Sequence, residues 1–121
     1  MMKKNKIFIA CDSTNILKIK KIIRDTNNTK LKIGYKFGLE FLNSKHGRSF
    51  LSKLKNEIIF TDLKIHDIPN TCVSTIKAIK DLDINYITIH ISSGLTALKA
   101  CKKISGKTKL IGVTTLTSLD N

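Results

Sequence analysis

Asp62, Lys64 and Asp67 fall within six positions of the stretch TDLKIHDIPNT, residues 61–71, directly after the apolar run EIIF. On an extended strand, side chains two apart project to one face, so Asp62 and Lys64 share a side about 6–7 Å apart and Leu63 and Ile65 take the other. Charges held in a partly desolvated pocket are costly unless they are paired. Lys36, in GYKFG at the end of the preceding strand, is placed to approach Asp62 from the side. Asp67, beyond the strand, is placed to approach Lys64 or to reach across an interface. An alternating Lys, Asp, Lys, Asp array keeps Lys64 protonated and Asp62 ionised. It also presents a fixed field to a ligand: a unit charge pair about 4 Å apart at an effective dielectric near 20 is worth roughly 4 kcal/mol. That is about three powers of ten in rate if the field favours the transition state over the ground state. The alternative reading of a lone D-x-K at a strand end is a surface ion pair, which contributes little.

The elements that must position these groups follow from periodicity. Short β-branched runs lie at 6–12, 30–36, 57–64, 85–92 and 109–116, and amphipathic stretches with apolar residues three and four apart lie between them. The spacing leaves room for one crossover helix between strands, which makes the strands parallel neighbours. Helices are expected at 13–25, with Ile16, Ile19, Ile22 and Ile23 on one face and Asn15 or Ser13 as cap, at about 39–55 with a break near Gly47, at about 71–82 and at about 94–104. Alternating βα units make an α/β protein, a barrel or an open sheet, with functional groups at the strand C-terminal ends. The polar residues there are Asp12, Lys36, Asp62, Lys64, His90 and Thr114 to Ser118. His90 reads as a hydrogen-bonded strand-end histidine or as a part of the site. His46 and His66 read as surface residues and Cys72 as core packing.

Composition narrows the partners. The chain has 121 residues, ordinary for one domain, and no linker or low-complexity tract marks a boundary. The formal charge of +13 raises the question of nucleic acid, but 20 of the 22 basic residues are Lys, and direct base readout and bidentate phosphate recognition favour Arg. The lysines are spread along the chain and no basic run is interleaved with aromatics, so a nucleic-acid partner is not expected; anionic small substrates would still be drawn in. Cys11, Cys72 and Cys101 show no ligand or disulfide spacing, which fits a reducing, cytoplasmic setting and no structural metal. The apolar run Ile7 to Cys11 is too short for a signal sequence or a membrane span.

With these residues in view, DLKIHDIPNT resembles the signature of the orotidine 5′-phosphate decarboxylase family. The likeness extends in order to IACD at 9–12, GYKFGLEF at 34–41, ITIHISSG at 87–94 and VTTLTS at 113–118. It implies a (β/α)8 TIM-barrel type of fold, of which residues 1–121 are an N-terminal part with the first five strands and four helices. It implies decarboxylation of orotidine 5′-phosphate to UMP in pyrimidine biosynthesis, with no metal and no organic cofactor. Residue by residue, Asp12 would bind the ribose and Lys36 would join the charged array while contacting the nucleotide. Asp62 would lie against the substrate carboxylate, and Lys64 would donate the proton to C6. Asp67, Ile68 and Thr71 would reach into a partner subunit of a homodimer, and Thr117 would sit near the pyrimidine.

A complete eight-unit barrel needs roughly 200–250 residues. The family's phosphate-gripping loops come from later strands, so the expectation is a split or truncated protein, or a second chain that completes the barrel, with little or no activity in these 121 residues alone. Two alternatives stand beside this reading. One is a sugar-phosphate decarboxylase or synthase of the same superfamily, which resembles the chain in D-x-K-x-x-D but works with Mg²⁺ and lacks the DIPNT continuation. The other is an inactive fragment that needs a complementing chain.

Overall fold

In a computed structural model, residues 5–27, 30–116 and 118 are described. Each β-branched run forms a strand: β1 Lys6–Ala10, β2 Lys32–Gly38, β3 Ile58–Ile65, β4 Tyr86–His90 and β5 Lys109–Val113. Helices fill the intervals: α1 Ile16–Thr26, α2 Leu39–Asn43, α3 Gly47–Lys53, α4 Pro69–Ala78 and α5 Leu95–Ile104. The strand order is β1-β2-β3-β4-β5, and β1 with β2, β2 with β3 and β4 with β5 pair in parallel, as crossover helices require. By their contacts the residues divide into two compact units, Met1–Asp62 and Leu63–Asn121, with the division inside β3.

The local signals account for the boundaries. Asn15 caps α1 by accepting the Lys18 N–H on its side-chain oxygen at 3.2 Å, and Ser13 Oγ accepts the Asn15 N–H at 3.1 Å, so both expected capping residues act in series. The break near Gly47 separates α2 from α3, and a Cβ on Gly47 would collide with the Phe41 carbonyl. The fourth helix starts two residues earlier than the periodicity predicts. Pro69 takes its first turn, where a missing N–H costs nothing, and Lys80–Leu82 continues as a separate 3₁₀ turn. The second strand runs on to Gly38, two residues past its expected end, because Phe37 is itself a core residue.

In the first unit the core is Ile19, Ile23, Tyr35, Phe37, Phe41, Leu51 and Ile59. The buried Tyr35 hydroxyl shares a 2.7 Å hydrogen bond with Thr26 Oγ1, so α1 is tied to β2 without an unsatisfied polar atom. In the second unit Leu63, Ile65, Ile76, Ile87 and Ile89 are buried together with Cys72 and Cys101, in keeping with the packing role expected for Cys72. Among the described residues no helix is long and apolar enough to cross a membrane.

Candidate active site

Along β3 the burial alternates: Ile59, Thr61, Leu63 and Ile65 are buried, while Ile58, Phe60, Asp62 and Lys64 belong to the less buried phase. Asp62 and Lys64 therefore share the phase that the strand period predicts.

In the first unit the register sets Lys36 beside Phe60 and Gly38 beside Asp62. The Lys36 side chain runs forward along the sheet, and its Nζ stands 3.6 Å from Asp62 Oδ2, with 35% and 16% of the two side chains exposed. Below this pair lies an apolar floor in which the rings of Phe8 and Phe60 meet edge to face at 5.3 Å. Gly34 makes room for it, since a Cβ there would stand 2.5 Å from Phe8 Cε1 and 3.1 Å from Ile58 Cγ2. At 3.6 Å the gross attraction is roughly 4–5 kcal/mol at an effective dielectric near 20, before the costs of desolvation and screening are taken off.

Asp12 is exposed on the rim of the same unit. The chain leading to it is pinned to the end of β2 by the Cys11 N–H, which donates to the Lys36 carbonyl at 2.8 Å. Cys11, Asp12, Ser13, Gly38, Glu40 and Phe41 line a cavity of about 150 Å³. Burial, aided by the Asp12 carboxylate, pushes the Cys11 thiol up to about 11, so it stays protonated and unreactive at neutral pH.

In the second unit Lys64 is exposed and has a left-handed backbone, φ +46°. Its N–H donates to Thr88 Oγ1 at 2.9 Å. After the strand, His66 is exposed, as expected of a surface residue, but its ring packs on His90 at 4.9 Å and its Nε2 lies 3.4 Å from Ser92 Oγ. The tilted His66 ring is thus one contact of the half-buried His90. Asp67 turns its carboxylate onto the Ile68 N–H at 2.7 Å, and its carbonyl accepts the Cys72 thiol at 3.2 Å. These bonds and Pro69 rigidify the approach to α4 and leave Ile68 (65% exposed) and Thr71 on the surface.

Of the residues singled out from sequence, the structure joins Lys36 to Asp62 and turns Asp67 back onto its own helix entrance. Thr117 lies outside the described residues. Among the described residues no cluster of three or more His, Cys, Asp or Glu could hold a metal ion. Sequence reasoning missed Thr88. The available signal was a hydroxyl residue in an otherwise apolar strand core, ITIH, where a buried polar group needs a partner.

The family model described as "Orotidine 5'-phosphate decarboxylase / HUMPS family" matches residues 5–121. The chain belongs to the orotidine 5′-phosphate decarboxylase / HUMPS family. It is 43% identical over 122 residues to the orotidine 5′-phosphate decarboxylase of Wolbachia sp. subsp. Brugia malayi, and 37% identical over 123 residues to that of Malacoplasma penetrans. Each match covers 97% of this chain and 52% of the relative, so the chain spans about half the length of the curated relatives it matches. In three dimensions it is similar to the orotidine 5′-phosphate decarboxylase of Lactobacillus acidophilus, with a TM-score of 0.80 and 33% identity over 95% of this chain and 55% of that one. The enzyme of Methanocaldococcus jannaschii, solved with the inhibitor BMP, gives 0.79 and 26%, over 93% and 53%. The parallel sheet and its helices are thus the decarboxylase family's TIM-barrel fold, represented among the described residues by five of its strands.

Proposed function

We propose that this chain carries the charge-bearing half of an active site that decarboxylates orotidine 5′-phosphate to UMP. The observation that supports it most directly is the Lys36–Asp62 pair at the ends of β2 and β3 above an apolar floor, in a chain whose relatives are orotidine 5′-phosphate decarboxylases. Lys64 follows Asp62 by two residues in the same strand. In the reaction the bond from C6 to the carboxylate breaks, CO2 leaves, and the electron pair stays on C6 with no adjacent electron sink. The Lys64 ammonium stabilises that charge and delivers its proton to C6; solvent then reprotonates the amine. Lys36, 3.6 Å from Asp62, offsets the charge of that carboxylate, and Asp62 beside the substrate carboxylate disfavours the ground state more than the transition state.

Asp12 binds the ribose in this reading, and Thr117 lies by the pyrimidine. Asp67, Ile68 and Thr71 serve a partner subunit of a cytoplasmic homodimer. The exposure of Ile68 and Thr71, at a helix entrance stiffened by Pro69, supports that role. A further polypeptide segment, in this chain's continuation or in a complementing chain, supplies the remaining strands and the grip on the phosphate. No metal or organic cofactor enters any step.

The test is orotidine 5′-phosphate decarboxylation by the purified chain, alone and mixed with a polypeptide carrying the later barrel strands. The chain alone turns over little or not at all. The mixture is active, is indifferent to chelation of Mg²⁺, and loses at least about 10³-fold in rate with Lys64→Ala, the factor that a field of about 4 kcal/mol implies. An unchanged rate for Lys64→Ala removes Lys64 from the mechanism, and an absolute need for Mg²⁺ points to a sugar-phosphate enzyme of the same family.

A further inference from the structure

Lys64 is a lysine in a strand with φ +46°, a backbone region that side chains with a Cβ enter at a cost and that glycine or asparagine would fill more readily. Such a conformation persists where its surroundings over-determine it. The Lys64 N–H points at a side-chain acceptor, Thr88 Oγ1, at 2.9 Å. Thr88 is only 5% exposed and sits between the buried Ile87 and Ile89 in β4, where a hydroxyl has no packing advantage over a valine of the same shape. Leu63 and Ile65, both buried, clamp the chain on either side of Lys64 while its own side chain stays exposed. The backbone of Lys64 is thus fixed on both flanks by apolar packing and at its amide by one buried hydroxyl.

We propose that Thr88 is a positioning residue for Lys64: its hydroxyl accepts the Lys64 N–H, holds that residue in the left-handed conformation and so sets the direction in which the ammonium leaves the strand. The catalytic consequence rests on the reading of Lys64 as proton donor; the structural core of the proposal does not.

The two are tested separately. In the full 121-residue chain, the three-bond amide-to-α-proton coupling of Lys64 distinguishes left-handed from extended backbone, and the exchange rate of its amide reports the hydrogen bond. Thr88→Val, which keeps the shape and removes the hydroxyl, shifts that coupling to the extended value and speeds Lys64 amide exchange by roughly tenfold or more. Thr88→Ser retains the wild-type coupling and protection. Thr88→Ala serves in place of the valine variant if the latter does not fold, as judged by far-ultraviolet circular dichroism. Wild-type coupling and protection in the hydroxyl-free variant overturn the proposal, as does a serine variant that behaves like it. In the reconstituted decarboxylase, Thr88→Val lowers kcat about tenfold or more with KM within about twofold, and serine restores it. If Lys64→Ala leaves the rate unchanged, the functional reading fails while the coupling measurement still judges the hydrogen bond.

Discussion

Replacing Lys64 by glycine and, separately, by alanine removes the same ammonium and the same carbons beyond Cβ, so the difference between the two variants reads the Cβ and the backbone freedom it restricts. At an ordinary strand position alanine is the more stable by about 0.5–1 kcal/mol, because glycine loses more conformational freedom on folding. At φ +46° the order reverses. A Cβ in the left-handed region costs about 1–2 kcal/mol, which glycine does not incur, so after subtracting its entropy the glycine variant is favoured by about 0.5–1 kcal/mol. For a chain of 121 residues that corresponds to a rise in Tm of roughly 2–4 °C over the alanine variant. Thermal and urea denaturation followed by circular dichroism, with both proteins at one pH and salt concentration, reads the difference directly. An alanine variant as stable as the glycine variant, or more so, refutes the claim that Lys64 is held in a strained backbone, and with it the reason for Thr88 to act as a brace.

Gly34→Ala forces a Cβ to within 2.5 Å of the Phe8 ring and lowers stability by about 1–3 kcal/mol, where a Gly→Ala change at an unobstructed site would raise it; an unchanged or higher Tm contradicts the packing described beneath Lys36 and Asp62. The Cys11 thiol, pushed up to about 11 by burial and by Asp12, stays protonated in the folded chain across a window in which the unfolded thiol, near 9, ionises. Folding therefore binds the proton more tightly, and the stability this contributes is complete below pH 9 and is lost as pH rises toward 11. Urea midpoints at pH 8 and 10.5 fall more steeply for the wild type than for Cys11→Ala, and equal slopes contradict the shift.

The parts of the fold that could be read from sequence are those fixed by local chemistry. Alternation along β3 set Asp62 and Lys64 in one phase because every second residue, Ile59 to Ile65, is apolar or a buried threonine. The α1 cap was legible because Asn15 and Ser13 are both short acceptors placed just before the isoleucine face. The start of α4 was not, because proline reads first as a breaker, whereas in a first turn it is a starter. The left-handed turn at Lys64 left no trace in the chain, since lysine has no preference for it and the cause lies 24 residues away in Thr88. The His66–His90 stack was hidden for the same reason: each ring looked ordinary alone, and only the fold brings them to 4.9 Å. For Asp67 the spacing offered either Lys64 or a site across an interface, and the local bond from the Ile68 N–H to its carboxylate was not legible because it depends on how the chain enters the helix.

The separation of scales around Lys36 and Asp62 has a consequence for how dissolved ions act on this protein. At 3.6 Å the pair lies well inside the Debye length of about 8 Å at physiological ionic strength, and little electrolyte fits between its members. The overall formal charge of +13 acts on an approaching anion from distances beyond one such length and is therefore screened readily. Added salt therefore slows the arrival of an anion while leaving the local field at the strand ends nearly intact.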